Sequence, residues 1–176
     1  MKISDVFAKY QTDKNTCIVG GHCYGKAYDL LFKSFNRLRK LDIVEIGVWE
    51  GQSLLAWREY FPNARISGID NQDLVENKRE DIEYIITDVH DFEPEKEYDI
   101  VIDDGSHQLE DVLCTVEKFK LKEGGMMILE DCSHPHYWIR KIKNRTLYSI
   151  EAIDFRRLYQ QKDNFMIVLR NYGLNL

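Results

Sequence analysis

The sequence predicts an α/β protein of the Rossmann-like kind, with a mostly parallel seven-stranded sheet, helices on both faces and a C-terminal antiparallel hairpin. Three observations predict it. Short runs rich in Ile, Val and aromatics, bounded by turn residues, alternate with helical stretches between residues 42 and 144. Two of those runs, 42–47 and 98–103, break into glycine turns that open helices. The tail holds two further runs with no room for a helix between them. Alternation implies parallel strands joined by right-handed crossovers.

In chain order, a helix is expected at 25–39 and the first strand at 42–47. A helix at 52–61, closed by Pro62, leads to a strand at 65–70. Strands at 82–87 and 98–103 follow, then a helix at 107–120 that Gly124-Gly125 terminates. Ser106 is placed to cap that helix, with Glu110 and Asp111 in its first turns favoured by the dipole. A strand at 125–130 and a helix at 135–144 complete the alternation, and 147–154 pairs with 164–170 as the edge hairpin. Residues 1–176 read as a single domain, with 1–40 an N-terminal segment and helix and 41–176 the core; a chain of this size buries roughly 70% of its extended surface.

The 24 basic and 30 acidic residues give a net charge of −6, which argues against a nucleic-acid backbone or an anionic membrane as the main partner. Arg140, Lys141, Lys143 and Arg145 form the one basic cluster and read as a solvated helix end. No run approaches the ~18 apolar residues of a membrane span, and the charged start at Lys2, Asp5 and Lys9 is no signal peptide, so a cytoplasmic protein is expected. Cys17, Cys23, Cys114 and Cys132 lack CxxC spacing, so free thiols are expected. Zinc sets from Cys17, His22 and Cys23, or from Cys132, His134 and His136, have imperfect spacing.

The most informative stretch is Leu41-Asp-Ile-Val-Glu-Ile-Gly-Val-Trp-Glu-Gly-Gln-Ser53, followed by Arg65-Ile-Ser-Gly-Ile-Asp70. A glycine turn between strand and helix lets a nucleoside-bearing ligand approach, and an acid ending the second strand accepts bonds from ribose hydroxyls. The turn runs Glu45-x-Gly47-x-x-x-Gly51, with Ser53 at the helix start. It lacks the Gly-x-Gly-x-x-Gly that seats a pyrophosphate. A nucleoside without phosphates, S-adenosylmethionine above all, fits better than NAD. Asp88, after the third strand, reads from the residues alone as a turn acid before His90 and Asp91.

Two more strands end in acids, at Ile102-Asp-Asp-Gly-Ser-His107 and Leu129-Glu-Asp131. Neighbouring strands lie about 4.8 Å apart, so Asp104, Glu130 and Asp131 can converge at one sheet edge and hold Mg²⁺ or another divalent cation. Single acids in such places often cap helices; three together point to a metal. His107, beside them, reads as a general base.

These motifs, with Trp57-Arg-Glu-Tyr-Phe-Pro-Asn-Ala64, Gly68-Ile-Asp70 and Tyr137-Trp138, resemble the metal-dependent O-methyltransferases that act on macrolide deoxysugars. The five βα units and hairpin are likewise the class I methyltransferase pattern. The resemblance extends to Thr12-Asp-Lys14 and His22-Cys-Tyr24 and so covers most of the chain; better-known members carry long N-terminal extensions that shape the substrate pocket and assembly. It implies Mg²⁺ on Asp104, Glu130 and Asp131, a base at His107, Lys14 and Tyr24 near the methionine end of the cofactor, residues 1–40 as the segment that covers it, and Asp88 beside the adenine as the alternative to a turn acid. The acceptor is then a small molecule, a sugar or glycoside, and a homo-oligomer stays open. Among the tryptophans, Trp138 is the candidate ligand platform, and Trp49 and Trp57 read as core. Two other classes compete: an NAD(P)-dependent oxidoreductase, disfavoured by the glycine turn and the hairpin, and a catalytically inactive cofactor-binding partner protein, disfavoured by the complete acid and histidine set.

Overall fold

The computed structural model describes residues 1–15, 22–156 and 164–173. Within them lie strands β1 (Asp42–Ile46), β2 (Arg65–Asp70), β3 (Glu83–Ile86), β4 (Glu97–Asp103), β5 (Lys120–Leu129), β6 (Ser149–Asp154) and β7 (Phe165–Arg170). They form one sheet in the order β3-β2-β1-β4-β5-β7-β6. Strands β1 to β5 run parallel, and β7 lies antiparallel to both β5 and β6. This is the class I methyltransferase arrangement. The chain leaves β1 toward one edge and returns to build β4 on its other side, so a crevice forms between the strand ends there.

Helices α1 (Ile3–Tyr10), α2 (Gly25–Leu31) and α3 (Gln52–Tyr60) cover one face, and α4 (Leu109–Lys118) and α5 (Pro135–Lys143) cover the other. The first face is held by interlocked aromatics: the Phe7 ring meets Tyr28 edge-on at 5.4 Å and Trp57 at 4.9 Å between centroids. The second packs Val112, Val116, Trp138 and Ile142 against the opposite side of β4, β5 and β7. No described helix is long and apolar enough to cross a membrane.

Four boundaries depart from the sequence reading. Helix α1 was not expected, and α2 ends at Leu31 because Phe32–Ser34 tightens into a 3-10 turn before an extended Phe35. The connections 71–82 and 87–96 contain no helix, and none was placed there, so only β1 to β2 and β4 to β5 are helical crossovers. Ser106 lies two residues before the observed N-cap, Gln108. Strand β5 starts at Lys120, directly after α4, and carries Gly124-Gly125 within it. Register slips there between Tyr98 and Ile100. A Cβ at Gly125 would stand 2.8 Å from the Lys122 carbonyl oxygen and 3.0 Å from that of Tyr98, so the glycine fits a bulge instead of ending a helix.

At the N-terminal ends of the strands a charge cluster locks the sheet. Asp42, 2% exposed, accepts two 2.7 Å bonds from Arg65 and one of 2.6 Å from Lys122. Lys122 also bonds Asp99 at 2.7 Å, and Asp99 accepts from the Asp42 backbone N–H at 2.8 Å. Burial alone would raise the Asp42 carboxyl, but Arg65 and Lys122 outweigh it and hold it well below the ordinary range. Its stabilisation is therefore full above about pH 4 and lost as pH falls further. Asp42→Asn is expected to lower the melting temperature at neutral pH by roughly 4–8 °C, from about 2 kcal/mol of lost charge-assisted bonding. Melts recorded down to about pH 3 should also show a shallower acid loss in the variant; identical slopes would place the acid sensitivity elsewhere.

Candidate active site

A cleft of about 680 Å³ opens at the C-terminal ends of β1, β2 and β4. Its floor is the turn after β1. Gly47 takes φ +81°, and a Cβ there would lie 2.1 Å from the Asp104 carbonyl oxygen, so the glycine is demanded by the neighbouring turn after β4 before any ligand arrives. Gly51, at φ +86°, is the N-cap of α3 and sits outside the cleft lining. Asp70 ends β2 and faces the cleft. One of its oxygens accepts the N–H of Val48 at 2.8 Å and of Trp49 at 3.0 Å; the other accepts Gln72 N–H at 2.9 Å. A carboxylate has about four acceptor positions, so capacity is left for hydroxyl donors. Asp88 does both of the things expected of it: it lines the cleft and accepts the His90 N–H at 2.8 Å.

Behind this floor the ends of β1, β4 and β5 bring four acids together. Glu45 is fully buried, accepts Ser53 Oγ–H at 2.7 Å and Trp57 Nε1–H at 2.9 Å, and lies 3.3 Å from Lys14 Nζ. It supports the turn from below and does not line the cleft; Ser53 does. Lys14, 1% exposed, also donates to Asp104 and, at 3.1 Å, to Glu130. Burial works to strip its proton, but Asp104, Glu130 and Glu45 together hold it as an ammonium, well above the ordinary lysine value. One cation cannot serve three buried carboxylates. Burial accordingly pushes Glu130 well above its usual range and raises Asp104 too.

Asp131 stays ionised for a different reason. Burial opposes it, but His22 Nδ1 at 2.8 Å and the Tyr24 hydroxyl at 2.6 Å hold its carboxyl below the ordinary range. Tyr28 donates to Glu130 in the same way. Burial and the adjacent carboxylates raise both phenols, so they act only as donors. His107 Nε2 stands 3.8 Å from Asp131 Oδ2 and is 42% exposed to the cleft. Donor atoms of Asp104, His107 and Asp131 lie within 4.8 Å of one another, the one such group among the described residues. Glu130, expected as the third ligand, has Oε1 on Lys14 and Tyr28.

Lys14, Gly47, Ser53, Asp70, Asp88, Asp104, His107 and Asp131 thus line one cleft, and Glu45, Gly51, Tyr24 and Glu130 stand outside its lining. Tyr28 was missed as a site residue, although it lies four residues after Tyr24, and His22, read as a zinc candidate and within the His22-Cys-Tyr24 segment, instead pairs with Asp131. Two further expectations are corrected. Cys23 is disulfide-bonded, so it is no free thiol and offers no thiolate to zinc, and the expectation for Cys17 lies outside the described residues. Cys132 is free but buried, its Sγ directed to backbone carbonyls of Leu129 and Glu130. Trp138 is 3% exposed and packs in the core beneath α4, whereas Trp49, read as core, is 66% exposed on the cleft.

No protein-family model matches the chain. It is 28% identical over 148 residues to mycinamicin VI 2''-O-methyltransferase of Micromonospora griseorubida, a match covering 73% of this chain and 35% of that protein. It is 31% identical over 135 residues to 8-demethyl-8-alpha-L-rhamnosyl tetracenomycin-C 2'-O-methyltransferase of Streptomyces olivaceus, covering 68% and 35%. The chain spans about a third of the length of these curated relatives. Among solved structures, MycE methyltransferase in complex with Mg, SAH and mycinamycin VI superposes with a TM-score of 0.72 at 21% identity, over all of this chain and 56% of that one. A SAM-dependent O-methyltransferase from Thermotoga maritima gives 0.65 at 13% identity, over all of this chain and 73% of its own.

Lys14→Met would leave Glu45, Asp104 and Glu130 with no buried counter-charge. It is expected to cost about 3–5 kcal/mol, the range for a buried pair that loses one partner, and to lower the melting temperature by roughly 6–20 °C. Tyr28→Phe removes one donor from the same cluster and should cost about 1.5–3 kcal/mol. Thermal melts would check both, and a Lys14→Met protein as stable as wild type would remove the ammonium from its central place.

Proposed function

We propose that this chain is an S-adenosylmethionine-dependent O-methyltransferase, assisted by a divalent cation, whose acceptor is a hydroxyl of a sugar or glycoside. The observation that carries the reading is that the Asp70 turn and the Asp104, Asp131 and His107 cluster face one cleft of about 680 Å³. That volume lies within the range of small-molecule sites. The residues fit both groups. Asp70 retains acceptor capacity for ribose hydroxyls, and the turn offers no pyrophosphate seat, which favours the phosphate-free nucleoside over NAD(P). The carboxylates of Asp104 and Asp131 are hard donors whose oxygens lie within 4.8 Å of one another, and excess buried negative charge favours a cation. Asp104 and Asp131 would hold it, with Glu130, on the same Lys14 that contacts Asp104, completing the acids.

When bound, S-adenosylmethionine supplies an electrophilic methyl and the cation supplies charge that acidifies an alcohol. The chain's part is positioning and proton transfer. Asp70 fixes the turn beneath the cofactor through Val48 and Trp49, while His107 Nε2 is presented to the cleft to take the hydroxyl proton. Asp131, kept ionised by His22 and Tyr24, attracts the imidazolium that this creates. The sugar acceptor is supported by relatives named for 2''- and 2'-O-methylation. The one described unit, with Gln11, Thr12, Asp13, Lys14 and His22 of its N-terminal segment in the cleft lining, is read as a single methyltransferase domain working on small molecules in the cytoplasm, without nucleic-acid or membrane partners.

Calorimetry with S-adenosylhomocysteine and NAD tests the cofactor. The first is expected to bind and the second not, with Asp70→Ala weakening binding by roughly 1.5–3 kcal/mol. Binding of NAD alone would overturn the assignment. Activity, followed as S-adenosylhomocysteine release from a screen of glycosides with vicinal hydroxyls, should vanish after exhaustive chelation and return with Mg²⁺. His107→Ala should lower the rate by about 10²–10⁴ while cation affinity holds; a parallel loss of cation binding would make His107 a ligand instead.

A further inference from the structure

We propose that Trp49 is a ligand contact, its indole forming the apolar wall against which the nucleoside held on Asp70 packs. The inference rests on the cofactor reading above and names a residue for it. Trp49 is 66% exposed and lines the cleft, while the two other tryptophans, Trp57 and Trp138, are 0% and 3% exposed. Its backbone is left-handed at φ +51°, an unfavourable conformation for a bulky aromatic that persists only where its surroundings impose it. Here Asp70 imposes it, because one oxygen takes the N–H groups of both Val48 and Trp49. The indole is therefore rooted one hydrogen bond from the carboxylate proposed to hold the ribose.

The neighbouring lining explains what such a ring would do. Asp70, Asn71, Gln72 and Asp88 are polar, and the apolar Ile69 and Val89 are 1% and 9% exposed. A nucleoside has flat apolar faces as well as hydroxyls. Trp49 offers the large exposed apolar surface to meet them, and aromatic stacking on such faces tolerates imperfect geometry. Exposed in the free protein, the ring is buried by the ligand.

The buried environments of Trp57 and Trp138 make the test direct, because acrylamide reaches mainly the Trp49 indole. In the full chain, S-adenosylhomocysteine at saturation, with binding established independently by calorimetry, should reduce acrylamide quenching to nearly the level of Trp49→Phe without ligand. Trp49→Ala should bind about tenfold more weakly and Trp49→Phe within a few-fold of wild type. Calorimetric binding with unchanged quenching overturns the proposal while leaving the cofactor reading intact, as does wild-type affinity in Trp49→Ala. Absence of any binding heat in the wild-type protein overturns both. The fall in quenching on ligand addition is read in the wild-type protein, with Trp49→Phe only as its reference level, so a Trp49→Ala chain that fails to fold leaves the decision to that arm.

Discussion

The buried ammonium of Lys14 is the interaction on which the rest of the site depends. Glu45, Asp104 and Glu130 end or follow β1, β4 and β5, which are adjacent in the sheet. Strands about 4.8 Å apart cannot keep such carboxylates separated, and a low-dielectric surrounding magnifies their repulsion. Lys14, in the 3-10 turn Asp13–Asn15, draws all three together. The N-terminal segment is thereby fastened over the strand ends by charge, and α1 and α2 secure it with the Phe7, Tyr28 and Trp57 ring cluster. A single positive charge still leaves the cluster electron-rich. That imbalance is tolerable only if protons or an added cation relieve it.

The backbone carries a matching signature. Trp49, His107 and Asp131 all take left-handed φ values between 51° and 55°, each in the turn that leaves one of β1, β4 and β5. Glycine would adopt this conformation without strain, yet each position carries a side chain that faces the same cleft. Strain of this kind persists where the surrounding contacts fix it. Asp70 fixes Trp49, and His22 and Tyr24 hold Asp131.

Much of this was legible in the residues. Strand alternation, the tail hairpin and the acids ending the strands follow from periodicity and turn chemistry, and Asp70, Asp104, Asp131 and His107 meet as their positions implied. Other features were not written locally. Helix α1 is not among them, since Ile3, Val6, Phe7 and Tyr10 recur at helical spacing and the reading passed over them. Gly124-Gly125 reads as a helix stop because glycine signals a break without saying whether the break is a turn or a bulge. The tryptophans were misassigned for a similar reason. Hydrophobicity cannot tell Trp138, which turns into the core on α5, from Trp49, which an acid 21 residues away turns out of it. His22 and Tyr28 owe their roles to Asp131 and Glu130, more than 100 residues distant in sequence.

The missing Cβ at Gly47 has a mechanical meaning. The turn beneath the cofactor position and the turn bearing Asp104 touch through bare backbone, with the Asp104 carbonyl in the space a methyl group would fill. Backbone has no rotamers with which to absorb a displacement, and packed interiors transmit strain well. A ligand that shifts one turn by a few tenths of an ångström must carry the other with it. The half of the cleft that would hold the methyl donor and the half that would hold the acceptor are therefore one stiff part, and occupancy of either is felt as geometry by the other.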